Sequence, residues 1–118
     1  MSVLVAVTDS PEGIYSLSAA AEEAALLGTD LIAVNLTLGK LDTSVLKDGC
    51  AVTVVDRAGR EDRDPVTAVL DELDEYPDVT RLVIGIRKRS RVGKALLGSV
   101  TQRLLLTSPV AVLAVKAP

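Results

Sequence analysis

The chain has 118 residues and a net charge of −3 at pH 7, and it is 48% hydrophobic without any Phe, Trp or His. This length suits one domain, and the core must be aliphatic because the only aromatic residues are two tyrosines. The absence of histidine and the single cysteine exclude most metal and nucleophile–base chemistry, while the acidic balance argues against nucleic acid and anionic membranes as partners.

Taken in chain order, apolar runs alternate with amphipathic segments. The first run, from Ser2 to Thr8, predicts a strand buried on both faces. It is too short for a membrane span, and it lacks the charged start and the cleavage site of a signal peptide. We therefore expect a soluble, cytoplasmic protein with a single domain over residues 1–118. Ser10 can cap a helix that begins at Pro11 and ends at Gly28. The other predicted strands cover residues 31–36, 50–55, 81–86 and 110–115, and the other predicted helices cover residues 65–76 and 99–107.

This alternation predicts the α/β fold class. We expect an open, doubly wound, Rossmann-like sheet of five parallel strands in the order 3-2-1-4-5, with helices on both faces and a shortened connection over residues 37–49. Such sheets bind ligands beyond the carboxyl ends of the strands, where the strand order reverses. Here that place lies between the first and fourth strands, next to the segments TDSPEG and GIRKRSRVGKALLGS.

The segment from Gly85 to Ser99 concentrates positive charge in an acidic protein. Gly85 allows a ligand or a backbone to approach closely, because it has no Cβ. The last helix opens at Gly98, and its free N–H groups, with the hydroxyls of Ser99 and Thr101, could bind phosphate oxygens. The alternative is an ordinary helix cap preceded by a solvated loop. The cations of the segment are Arg87, Lys88, Arg89, Arg91 and Lys94.

The spacing in this segment resembles that of the universal stress protein family, whose signature after the fourth strand is G-x2-G-x9-G-(S/T). Gly85, position 88 and the pair Gly98–Ser99 reproduce the spacing, but Lys88 stands in place of the middle glycine. The resemblance covers the whole chain, since VAVTDSPEG, LIAVNL and SPVAVLAVK are similar to the family's first, second and last strands. The chain thus resembles a short variant of the family.

The resemblance implies a small stress-response protein that binds ATP or AMP, with or without Mg²⁺, and that forms a homodimer through residues 110–115. An apolar strand near the chain end would otherwise leave an open sheet edge. Lys88 either closes the phosphate path or folds outward to pair with the phosphates, and we favour the second. The implied contacts are Thr8, Asp9 and Leu36 for the nucleoside, and Gly85, Arg87, Lys88, Gly98, Ser99, Val100 and Thr101 for the phosphates.

Two other functions remain open at this stage. One is a nucleotide-free module for dimerisation and protein interaction, with the basic segment receiving an acidic partner. The other is a phosphoacceptor receiver domain, which would use Asp9, Asp56 and Lys116 at strand ends; however, Asp9 stands alone and Gly85 replaces the expected hydroxyl residue. No serine has a histidine to activate it, so we expect no catalytic residue and at most slow ATP hydrolysis.

Overall fold

The computed structural model describes residues 2–37, 39–43, 46, 51–56, 64–88, 95–96 and 98–117 and gives nine helices and strands within that part of the chain. Cys50, which the sequence places on the third strand, lies outside the described residues. In chain order the elements are β1 (Ser2–Val7), α1 (Pro11–Leu26), β2 (Asp30–Asn35), β3 (Val52–Asp56), α2 (Pro65–Glu75), β4 (Val79–Lys88), β5 (Ala95–Leu96), α3 (Ser99–Thr107) and β6 (Ala111–Lys116).

The five main strands form a parallel sheet in the order β3-β2-β1-β4-β6, which confirms the predicted order 3-2-1-4-5. The strand order reverses at β1, which pairs with β2 on one side and with β4 on the other. The short strand β5 was not predicted: it pairs antiparallel with an extension of β4, with Arg87 opposite Leu96 and Lys88 opposite Ala95. The carboxyl end of β4 therefore continues beyond the parallel sheet.

The helices begin where the sequence provides caps. At α1 the Ser10 hydroxyl accepts a hydrogen bond from the Gly13 N–H at 3.1 Å, and Pro11 occupies the first turn, where no amide donor is needed. At α2 the Asp64 carboxylate accepts from the N–H groups of Val66 and Thr67. After α1 the chain turns at a glycine, Gly28, whose φ of 64° lies in the left-handed region that favours glycine.

The core lies on both faces of the sheet, because alternate residues of each buried strand point in opposite directions. One apolar cluster joins β1 and β2 to α1 and includes Val5 and Leu17, and the other joins the same strands to α2 and α3 and includes Leu4 and Leu104. Burying each such aliphatic side chain contributes about 1.5–3 kcal/mol. Among the described residues, none of the helices combines the length and the hydropathy needed to cross a membrane.

Candidate functional site

The carboxyl edge of the sheet brings together the segments that the sequence singled out. Because β1, β2 and β4 are parallel, their carboxyl ends lie at the same edge, and α3, which leads from that edge back to the start of β6, has its first turn there. The turn after β1, the described part of the β2–β3 connection and the end of β4 therefore surround one region of the surface.

Two glycines let α1 pack directly against the sheet at this edge. A Cβ added at Gly85 would lie 2.1 Å from the carbonyl oxygen of Glu12, and a Cβ at Gly13 would lie 2.2 Å from the carbonyl oxygen of Thr8. Both distances are far below normal contact, so only glycine fits at either position. The space in front of Gly85, which the sequence offered to a ligand or a backbone, is occupied by the backbone of α1.

A cavity of about 350 Å³ opens between the turn after β1 and the β2–β3 connection. Its volume falls within the roughly 300–1,000 Å³ typical of small-molecule sites. Leu17 and Leu41 line it with buried apolar surface, and each is less than one tenth exposed. Charged and polar groups complete the described lining, which consists of Asp9, Ile14, Leu17, Thr37, Gly39, Lys40, Leu41 and Asp42. An apolar floor with a charged rim suits a flat ring that carries polar substituents.

The cavity wall is held by Asn35, a buried residue that the sequence analysis did not single out. Its Nδ2 donates to the carbonyl oxygen of Gly39 at 2.8 Å and to Oδ1 of Asp56 at 2.9 Å, while its Oδ1 accepts from the backbone N–H of Thr37 at 3.0 Å. These bonds fix the path of the chain after β2. The sequence does indicate this role, because Asn35 is the one polar residue in the apolar run LIAVNL, and a buried amide needs hydrogen-bond partners.

The three residues implied for the nucleoside occupy different places. Asp9 lines the cavity and is exposed. Thr8 shares a 2.8 Å hydrogen bond between its hydroxyl and that of Ser10, beside the first turn of α1. The Leu36 side chain is buried in the cluster that faces α2 and α3, and its backbone N–H donates to the carbonyl oxygen of Val7. The structure therefore brings Asp9 to the cavity, whereas Leu36 packs on the opposite face of the sheet from Leu41.

Among the residues that the structure describes, no side chain caps the first turn of α3. Gly98 precedes the helix in an extended conformation, and a Cβ added there would meet no described atom within 4 Å. Ser99 is exposed, Val100 is partly buried against the core, and Thr101 is only 5% exposed. Uncapped N–H groups at the positive end of a helix are suited to bind an anion.

Arg87, near the end of β4, contacts the first turn of α1. Its Nη2 lies 3.4 Å from Oε1 of Glu12. Burial raises the pKa of the Glu12 carboxyl, but hydrogen bonds from its own backbone N–H, Arg87 and Ser10 outweigh that effect and hold the pKa below its usual value. Glu12 is thus ionised at neutral pH and holds the guanidinium beside the turn after β1.

Several predicted groups lie outside this arrangement. The backbone of Lys88 belongs to β4, but its side chain lies outside the described residues, as do Arg89, Arg91 and Lys94. The Asp56 carboxylate, considered above as a phosphoacceptor, accepts a hydrogen bond from Asn35. Within the described ranges no group of three or more acidic or cysteine side chains could hold a metal ion.

Comparison with known proteins agrees with the fold. The sequence profile of the universal stress protein family matches residues 49–116, more than half of the chain. A universal stress protein from Mycolicibacterium smegmatis is 39% identical over 127 aligned positions, which cover 97% of this chain and 96% of that protein.

Solved structures of the family share the architecture. The structure of a universal stress protein from Archaeoglobus fulgidus superposes with a TM-score of 0.71 at 28% identity and covers 98% of both chains. A universal stress protein from Lactobacillus plantarum, at 11% identity, shows the same fold with a TM-score of 0.66 over 98% of this chain and 97% of its own. The profile match and the identity to the mycobacterial protein show that this chain belongs to the universal stress protein family.

Proposed function

We propose that this protein binds an adenine nucleotide, ATP or AMP, at the carboxyl edge of β1 and β4 and acts in the stress response through that binding. The observation that carries the proposal is the combination of a cavity beside Asp9 with an uncapped first turn of α3 at the same sheet edge. A nucleotide needs both features, because its base is largely apolar and its phosphates are strongly anionic.

The base and the ribose belong in the cavity in this proposal. Ile14, which is 48% exposed, offers apolar surface to a purine ring in this cavity, which the buried Leu17 and Leu41 also line. Burial of such surface contributes roughly 25 cal/mol per Å². The Asp9 carboxylate is an acceptor for ribose hydroxyl groups. The Thr37 hydroxyl donates to Oδ1 of Asn35 or to the carbonyl oxygen of Gly39, so it too can serve the ribose as an acceptor. In this proposal the polar groups of the cavity lining bind the ribose, and its apolar groups contact the base.

The phosphates belong at the first turn of α3. The N–H groups that follow Gly98 supply donors with the helix dipole behind them, and the hydroxyl of the exposed Ser99 adds one more donor. No described atom lies within 4 Å of the position that a Cβ of Gly98 would take, which allows a phosphate to approach the backbone from that side. Arg87 and Lys88 add positive charge nearby in the chain, and an outward-folded Lys88 would pair with the same oxygens.

Binding rather than turnover is the proposed output. The chain contains no histidine, so no imidazole can act as the general base for an attacking water. We propose that any ATP hydrolysis is slow and that the bound nucleotide instead alters the conformation at the sheet edge and hence the contacts with partners.

Equilibrium dialysis with ATP and with AMP tests the proposal. Purified protein with Mg²⁺ should show saturable binding of at least one of the two at submillimolar concentration. If neither binds at millimolar concentration, the proposal is wrong and the protein is a nucleotide-free interaction module. One contact favours that second candidate. The Arg87 guanidinium already pairs with the Glu12 carboxylate, so it has an anionic partner without a nucleotide.

We further propose that two copies associate through β6, the strand predicted over residues 110–115. β6 pairs with β4 along one edge, and no strand in the described part of the chain pairs with its other edge. Leu113 in this strand is 38% exposed, and unpaired apolar edges are normally covered. Sedimentation at micromolar concentration should give a dimer, and a Leu113→Arg variant should sediment as a monomer. A monomeric wild-type protein would contradict this proposal.

A further inference from the structure

The ion pair between Glu12 and Arg87 connects two segments that both border the proposed nucleotide site. Glu12 belongs to the first turn of α1, directly after the turn that carries Asp9, and Arg87 lies two positions after Gly85 on β4. Nη2 of Arg87 and Oε1 of Glu12 are 3.4 Å apart, and the residues are separated by 75 positions in the sequence. The fold, rather than local sequence, therefore creates this pair.

Glu12 is the fixed member of the pair. Its side chain is only 14% exposed, and its carbonyl oxygen packs where a Cβ of residue 85 would lie, so the first turn of α1 is pressed against β4. The negative charge also lies at the positive end of α1, which stabilises it further. The backbone of Glu12 is thus held against β4, and its side chain is largely buried beside it.

Arg87 is the adjustable member of the pair. Its side chain is 62% exposed, and long exposed side chains exchange conformations within nanoseconds. A guanidinium binds a phosphate group through two parallel hydrogen bonds, as it binds a carboxylate, so a nucleotide phosphate and Glu12 are alternative partners for the same donors. At the present separation the contact to Glu12 is long, and an exposed pair of this kind is readily exchanged.

We propose that Glu12 is a specificity-determining residue, which competes with the ligand phosphates for Arg87 and thereby sets how strongly the site distinguishes charged nucleotides from the uncharged nucleoside. The inference rests on the proposed nucleotide site and adds an internal competitor to it. A ligand phosphate must displace the Glu12 carboxylate from Arg87, so the affinity for ATP is held down while the affinity for adenosine is not.

The variant Glu12→Gln tests this directly, because it keeps the size of the side chain and removes the charge. Isothermal titration calorimetry should show ATP bound roughly threefold more tightly than by the wild type, the factor expected when a competing exposed ion pair is removed. The affinity for adenosine should not change. Glu22→Gln is the matched control: it makes the same change in net charge at an exposed position in the second half of α1, and it should leave both affinities unchanged.

The double variant separates competition for Arg87 from a general field effect. If Glu12 acts through Arg87, adding Glu12→Gln to Arg87→Gln should produce no gain in ATP affinity. Equal ATP affinity in the wild type and in Glu12→Gln, or a gain that persists without Arg87, would overturn the inference while the nucleotide site itself stands. If neither the wild type nor any variant binds ATP or adenosine, the proposed function is wrong, and the inference with it. Circular dichroism of each variant confirms that it is folded.

Discussion

The substitution Gly98→Val separates the fold from the proposed phosphate contacts, because the residue before α3 has open space around it. Its φ of −65° and ψ of 160° are extended values that valine adopts readily, and a Cβ there meets no described atom within 4 Å. The remaining cost is a poorer residue before the helix, about 1 kcal/mol at most. For a domain of this size the melting temperature should fall by no more than about 5 °C.

The effect on the ligand should be much larger. A valine side chain at Gly98 would stand between the first N–H groups of α3 and a phosphate group, and each charge-assisted hydrogen bond lost costs about 1.5–3 kcal/mol. The loss of one such bond corresponds to a decrease in ATP affinity of roughly ten- to a hundredfold. Adenosine, which has no phosphate, should bind as it does to the wild type.

Calorimetric titration of the folded variant with ATP and adenosine measures both effects. Thr107→Val is the control: it places a valine at the exposed far end of α3, where the hydroxyl donates only to the carbonyl oxygen of Arg103 among the described atoms, and it should not alter ATP affinity. Unchanged ATP affinity in Gly98→Val would show that the phosphates do not bind at α3. A fall in melting temperature well beyond 5 °C would refute the reasoning from open space.

Three further predictions concern stability. Gly85→Ala should lower the free energy of unfolding by about 1–3 kcal/mol in urea titrations, because the new Cβ would lie 2.1 Å from the Glu12 carbonyl oxygen. Gly39→Ala is the control, since its Cβ would meet no described atom within 4 Å, and it should lower the free energy of unfolding far less; equal losses would contradict the packing argument. Asn35→Ala should lower the free energy of unfolding by about 1–3 kcal/mol, because the groups that bond to the buried amide lose their partner. A change below about 0.5 kcal/mol would mean that water takes over the hydrogen bonds of the amide. The pKa of Glu12 in the folded protein lies below its ordinary value, so the ionised carboxylate stabilises the fold above the ordinary carboxyl pKa, and this stabilisation is lost as the pH falls through the folded pKa. The free energy of unfolding of the wild type should therefore drop more steeply below about pH 5 than that of Glu12→Gln. Parallel pH curves for the two proteins would contradict this.

The strands and helices were predictable because simple local rules decide them here. The valine-rich run of β1 must be buried on both faces, and the caps at Ser10 and Asp64 fix the starts of α1 and α2. Right-handed βαβ connections leave few possible strand orders, and the predicted order is the one observed. Strand limits differed by about two residues; for example, β4 begins at Val79 instead of residue 81 because the N–H of Ser2 donates to the carbonyl oxygen of Asp78 and extends the pairing.

Other features could not be read from local sequence because they depend on distant contacts. β5 has only two residues and follows a polar, basic segment, so the sequence has no alternation of apolar and polar residues there that would predict a strand. The sequence left open whether a ligand or a backbone approaches Gly85, and the structure shows that the α1 backbone does. The pairing of Arg87 with Glu12 joins residues 75 positions apart. The polar contacts of Asn35 likewise depend on β3 lying beside β2.

A crystal structure of the protein grown with millimolar ATP is the decisive test of the proposed nucleotide site. We expect phosphate oxygens within hydrogen-bonding distance of the N–H groups of residues 99–101 and the adenine ring in the cavity, against the exposed side chain of Ile14. We also expect that the Arg87 guanidinium has moved from Glu12 towards a phosphate. A nucleotide bound elsewhere on the sheet, or crystals with an empty carboxyl edge at that concentration, would contradict the account.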